Sequence, residues 1–183
     1  MDQEAVLFNK EGFQFVRIMK NQYRLDFSIK NERIIIANIL DFNLIKLIYD
    51  LNPDVYESVN IEKINENEAI ITLLMKHFFE DLGLPQRYSY MNMKRIVETN
   101  KIIFRSQSIR DIKPKNMPQD SELMNMKDLI CNCVSETQHK VNFLVNVIFH
   151  ENTIVPPFAE KMIGMILFKI FKRVKQFIEN VVV

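Results

Sequence analysis

The sequence predicts an α+β fold, a mainly antiparallel curved sheet with helices on one face, and three observations lead there. The N-terminal third alternates apolar and polar residues with period two. A second alternating block lies between Asp128 and Phe149. After Pro156 and Pro157 the period changes to that of a helix and stays so almost to the C-terminus.

In "GFQFVRIM", Phe13 and Phe15 alternate with Gln14 and Val16. In "QYRLDFSI", Tyr23, Leu25, Phe27 and Ile29 alternate with Arg24, Asp26 and Ser28. The short links "KNQ" and "KNE" suit hairpins, and the β-branched run "RIIIANI" predicts a third strand. Asp41 is placed to cap a helix whose apolar face is Leu44, Leu47, Ile48 and Leu51, and "NPD" stops it. "VYESVNIEKI" predicts a strand over 55–64. In "NENEAIITLLMKHFFEDLG" the spacing of Ile70, Leu73, Leu74, His77 and Phe78 predicts a helix ended by Gly83, with a strand as the alternative for "AIIT".

Past Pro85, residues 87–97 and 101–109 predict a hairpin turning at "ETN". Residues 110–123 hold two prolines and many polar groups and predict a loop or insertion. "DLICNCV", "HKVNFLVNVIF" and "NTIV" predict a second meander. A helix then runs from Phe158 to about Val181, its stripe including Ile163, Leu167, Ile170, Val174 and Ile178. "YRLDFSIKNERIII" and "VNFLVNVIFHENTIV" echo one another, each a strand, a charged turn and a β-branched run before a helix. The chain thus reads as a single domain over 1–183, divisible at a two-fold repeat into halves 1–84 and 85–183.

A formal net charge of +1 excludes a general polyanion binder, so any electrostatic recognition rests on local patches. Gly12, Gly83 and Gly164 are the only glycines and stand apart, which excludes a glycine-rich phosphate loop. The N-terminus lacks the pattern of a secretory signal, and no run of apolar residues is long enough to span a bilayer. Cys131 and Cys133 lie two apart in one predicted strand, on the same side, where a bridge would strain the backbone. They predict reduced thiols and an intracellular protein, in nucleus or cytoplasm. With His139 they lack a fourth ligand at zinc-like spacing, so neither metal nor cofactor is expected. No spacing of nucleophile, base and acid predicts an enzyme. Frequent Ile, Asn, Lys and Met suit an AT-rich genome, such as that of a large DNA virus.

The basic stretch is "LGLPQRYSYMNMKRIVETNKIIFRSQSIR", with six Lys or Arg against one acid. Arg87, Lys94, Arg95, Lys101 and Arg105 lie on it. They form either a phosphate-binding surface or a solvated edge that blocks aggregation. "FFEDLGLPQRYSYMNMKRIVETNKIIF", "NVIFHENTIV" before an amphipathic helix, and "NKEGFQFVRIM…YRLDFSI" together resemble the saddle-shaped core of the TATA-binding protein family. The likeness departs from that family at Arg95, where an Asn is usual, and keeps Val97 at the next matching position. It implies a non-catalytic DNA- or transcription-factor-binding protein in which Phe13, Phe27 and Phe149 wedge into base steps of the minor groove. The implied partners are double-stranded DNA and other transcription proteins. The alternative is a structural or interaction protein that oligomerises with itself through its sheet and C-terminal helix, without nucleic acid.

Overall fold

Residues 4–183 are described by a computed structural model of the chain. The alternating runs become strands because each can bury one face. β1 (Ala5–Lys10), β2 (Phe13–Met19) and β3 (Gln22–Lys30) form the N-terminal meander. Glu11 and Gly12 both take positive φ, 51° and 81°, in the two-residue turn between β1 and β2. That conformation matches the twist of paired strands, and Gly12 adopts it without a Cβ penalty. Asn21 makes the next turn at φ 62°. Its side-chain amide donates to the carbonyls of His150 (3.0 Å) and Thr153 (2.7 Å), fixing the far end of the sheet.

α1 (Phe42–Asp50) begins where expected: the Asp41 carboxylate accepts from the backbone N–H of Asn43 (2.8 Å) and Leu44 (3.2 Å). β4 (Tyr56–Asn65), β5 (Glu68–Met75), β6 (Arg87–Val97) and β7 (Lys101–Ser108) follow. After them come the two-residue β8 (Glu122–Leu123), β9 (Met126–Thr137), β10 (Lys140–Phe149) and α2 (Pro157–Asn180). All ten strands share one curved sheet, in the order β1-β2-β3-β10-β9-β7-β6-β5-β4, with β8 beside β6. Every pairing is antiparallel except β8 with β6. The architecture is α+β, as the alternation implied. The two echoing segments lie side by side, with Phe27 opposite Phe143.

Three expected elements differ. "RIIIANI" is not a strand. Ile36–Ile39 form a 3-10 turn, with Ile36 fully buried and its N–H bonded to the Gln138 carbonyl. The stretch 65–83, expected as a helix with a strand as the alternative at "AIIT", takes that alternative as β5, followed by a 3-10 turn at Glu80–Leu82 that Gly83 ends at φ 68°. "NTIV" is outside any strand.

The core lies between the sheet's inner face and the two helices. Phe13, Phe15, Tyr23, Leu25, Phe27 and Ile29 face inward from β2 and β3. α2 lies on them so closely that a Cβ at Gly164 would stand 2.5 Å from the Phe15 ring. Phe168 packs edge-on to Phe8 and Phe13, and Phe171 packs against Phe27. On the other half of the sheet α1 is the cover, with Phe42 edge-on to Phe104 of β7. A small second cluster, Leu74, Tyr88 and Met117, lies on the outer face beneath the 110–123 loop.

Candidate functional site

Strand register brings the site together. Phe27 opposes Phe143, Phe143 opposes Cys133, Cys133 opposes Ile102, and Cys131 opposes Phe104. All of these side chains point inward, because residues two apart in a strand share a face. Leu44, Ile45 and Ile48 of α1 and Phe171 and Val174 of α2 close over them. Between them lies a cavity of about 20 Å³. Its lining is hydrocarbon and thiol throughout.

The rim of this cavity is polar. Asp54, just past α1, is gripped by both Lys169 and Arg173 of α2. Arg173 also donates to the Asn52 side-chain oxygen (3.0 Å), and Asn52 is itself fully buried with its amide on the Ile48 carbonyl (2.7 Å). The hydrogen bonds from Arg173 and then Lys169 hold the Asp54 carboxyl well below the usual carboxylate range. These contacts draw α1 and α2 together over the cavity.

The N-terminal end of α2 is held differently. Glu160 accepts from Arg17 through both oxygens (3.2 and 3.0 Å) and from the Tyr23 hydroxyl (2.8 Å). Burial and then the Glu160 contact push the Tyr23 hydroxyl above its ordinary pKa. At its C-terminal end the Asn31 amide donates to the carbonyls of Ile178 (2.6 Å) and Val181 (3.0 Å). A second, open recess of about 320 Å³ lies at the β2–β3 turn, between Lys20, Lys127 and Glu151. It is a surface hollow of mixed polarity.

The residues expected to touch DNA are dispersed. Phe13, Phe27 and Phe149 are buried on the inner face beneath α2. Arg95 donates from Nε to the Leu40 carbonyl (2.8 Å) and so anchors the lead-in to α1. Arg105 donates to Asp128 (2.8 Å) and Arg87 to Glu122 (2.8 Å). Lys101 stands 3.9 Å from Glu98, while Lys94 and Val97 are exposed. His139 is turned from the thiols and bonds through Nδ1 to the Ile34 carbonyl (2.8 Å). Spacing alone puts Cys131 and Cys133 on one side of a strand but does not show the cavity they face. Phe143, Ile45 and Phe171 come to it from three separate elements, and no local pattern joins them.

No protein-family model matches the sequence, and no curated protein is significantly similar to it. Solved structures do match. The lipid transfer and protein localization domain of human StarD13 superposes with a TM-score of 0.74 at 7% identity, covering 99% of this chain and 91% of that one. The fold is that of the StAR-related lipid transfer domains. A STAR-related lipid transfer protein from Xanthomonas axonopodis gives 0.67 at 12% identity, covering 96% and 98%. Human StAR-related lipid transfer protein 5 gives 0.62 at 12%, covering 96% and 88%.

This likeness overturns the resemblance to the TATA-binding protein family, and the DNA- and transcription-factor-binding function that rested on it falls too. The physical reason is visible in the phenylalanines: the face expected to lie on a duplex is the face that α2 covers. The alternative of an oligomerising protein without a ligand is corrected with it, since the sheet and C-terminal helix spend their apolar faces on each other. Among the described residues no helix is long and apolar enough to cross a membrane.

Proposed function

We propose that the chain binds one apolar ligand of lipid type between its sheet and its two helices, and carries it without altering it. The observation that carries this reading is the cavity walled only by hydrocarbon and thiol groups where the inner face of the sheet meets α1 and α2. The architecture supports it, since it is shared with StAR-related lipid transfer domains. A lining without carboxylate, imidazole or hydroxyl supports carriage over catalysis.

Size sets a condition on the reading. Pockets for small molecules run to about 300–1,000 Å³, and this cavity measures about 20 Å³. An acyl chain therefore enters only as α1 and α2 separate. The contacts between them at the rim are ion pairs at partly exposed side chains, which water can replace at a cost of about 1 kcal/mol or less each. The apolar walls then regain from the ligand what they lose from each other.

The test is titration of the full chain with a fluorescent fatty acid, read by emission and by native mass spectrometry. Saturable 1:1 binding, displaced by unlabelled fatty acid, is expected. Ile45→Trp, which fills the cavity, is expected to weaken binding about tenfold or more through overpacking. Absence of saturable binding to the folded chain overturns the reading.

A further inference from the structure

The two cysteines of the cavity stand together. Their sulfurs lie 3.8 Å apart, side by side on the inner face of β9. Both are free thiols. A disulfide needs about 2.05 Å, a closure that neighbours held in register by β7 and β10 resist. Two bonds of about 2.3 Å from one soft atom, the length of a zinc–thiolate bond, span the observed gap at an angle of about 110°. The pair is thus set to grip a single bridging atom.

We propose that Cys131 and Cys133 form a dithiol site for a neutral, monosubstituted organic arsenic(III) species.

The surroundings select that class. The cavity lining holds no cation to balance an anionic bis-thiolate complex, and an unpaired buried charge is costly. The hydrogen bond shared with Cys131, and then burial, push the Cys133 thiol well above its ordinary pKa and keep it protonated. A divalent cation, neutral on two thiolates, would find no further donor in the lining, and a monovalent one would displace those protons and leave a charge behind. A monoorganic arsenic(III) acid leaves none. With methylarsonous acid, CH3As(OH)2 and two thiols give CH3As(SR)2 and two waters. Two As–O bonds break, two As–S bonds form, and each thiol proton leaves with a hydroxide as water. Arsenic remains trivalent throughout, so no oxidant or reductant is needed. Inorganic arsenite would keep one As–OH group with no polar partner in the lining.

Access is graded in the same sense. Cys131 is half-buried and meets the reagent first, whereas Cys133 is 1% exposed and closes the ring. Phe104 and Phe143, the strand neighbours of Cys131 and Cys133, receive the organic group. The site rests on the lipid reading only in sharing its cavity and its way in.

The experiment uses the full chain with methylarsonous acid, phenylarsine oxide and arsenite, each followed by intact mass and by titration of the remaining thiols. One methylarsenic per chain, with both thiols lost and both restored by a small dithiol, is expected. Cys131→Ser and Cys133→Ser are each expected to weaken capture by roughly a hundredfold or more, the gain of two-point attachment. Arsenite is expected to bind more weakly than methylarsonous acid, and phenylarsine oxide to displace the fluorescent fatty acid. Equal capture by either serine variant, equal binding of arsenite, or no capture by the folded chain overturns the proposal. A chain that takes the fatty acid and no arsenical overturns the dithiol site alone; one that takes neither overturns both readings.

Discussion

The two halves of the sheet's inner face are covered in different ways. Over β1 to β3 and β10, the 24-residue α2 rests on a stack of rings. Phe15 stacks on Tyr23 at 5.7 Å, Phe13 on Phe27 at 4.8 Å, and Phe27 on Phe143 at 5.0 Å. Over β4 to β7 the nine-residue α1 lies above Ala69, Ile71, Met91, Met93 and Ile102, with two rings of the sheet against it, Phe104 on Phe42 and Tyr56 on Tyr49. Rigid rings fix one half through aromatic geometry. Methionine and small aliphatics leave the other half able to repack. The cavity lies on the seam between the two, lined by rings of one half and aliphatic side chains of the other.

The largest test of this contrast is Phe15→Ala. It removes a fully buried ring beneath Gly164 and is expected to cost about 3–5 kcal/mol in denaturant unfolding. A loss under about 1 kcal/mol would show that the aromatic half is not the rigid one. Asp41→Ala is next. Loss of the cap at the start of α1 is expected to cost about 1 kcal/mol. It is also expected to raise amide exchange over 42–50 without raising it in α2. Protection lost equally in both helices would break the comparison.

Asp54→Asn has the smallest effect on stability, about 0.5 kcal/mol, because the pairs it breaks are largely solvated. It is expected to speed fatty acid uptake several-fold if α1 and α2 part there; an unchanged rate places the opening elsewhere. The same residue sets a pH dependence. Its folded-state pKa is depressed, so its contribution is fully present above the unfolded value near 3.9. That contribution is lost as pH falls further, through the folded value. Wild type is expected to shed this stability below about pH 4, and Asp54→Asn to lack that component of the acid transition.

The sheet, α1 and α2 were legible because each buries one face and so writes a clean period. β5 was legible only as an alternative to a helix, because it is buried on both. Ala69, Ile71 and Leu73 face the core, while Leu74 faces the outer cluster with Tyr88 and Met117. Two buried faces erase alternation and leave a run that mimics a helix. Ile36 misled for another reason: its bond to Gln138 and the bonds of His139 to nearby carbonyls pull the segment into a turn no local propensity specifies. Of the site, the shared side of Cys131 and Cys133 followed from spacing alone. The cavity needed the register of four strands and the placement of two helices.

Gly164 gives the long helix a fulcrum. There the helix backbone rides directly on Phe15 and Phe8 and cannot rise or sink without moving rings that are themselves stacked. From Gly164 to Ile178 the helix extends about 21 Å at 1.5 Å per residue. A tilt of about 10° at that point carries the far end by about 3.5 Å, nearly the thickness of a hydrocarbon chain. What opposes the swing is the packing of Phe171, Val174 and Ile178 along the arm and, at its tip, the polar contacts of Asn31, Lys175 and Arg173. A small rotation at one glycine would thereby be geared up into a gap the width of a guest.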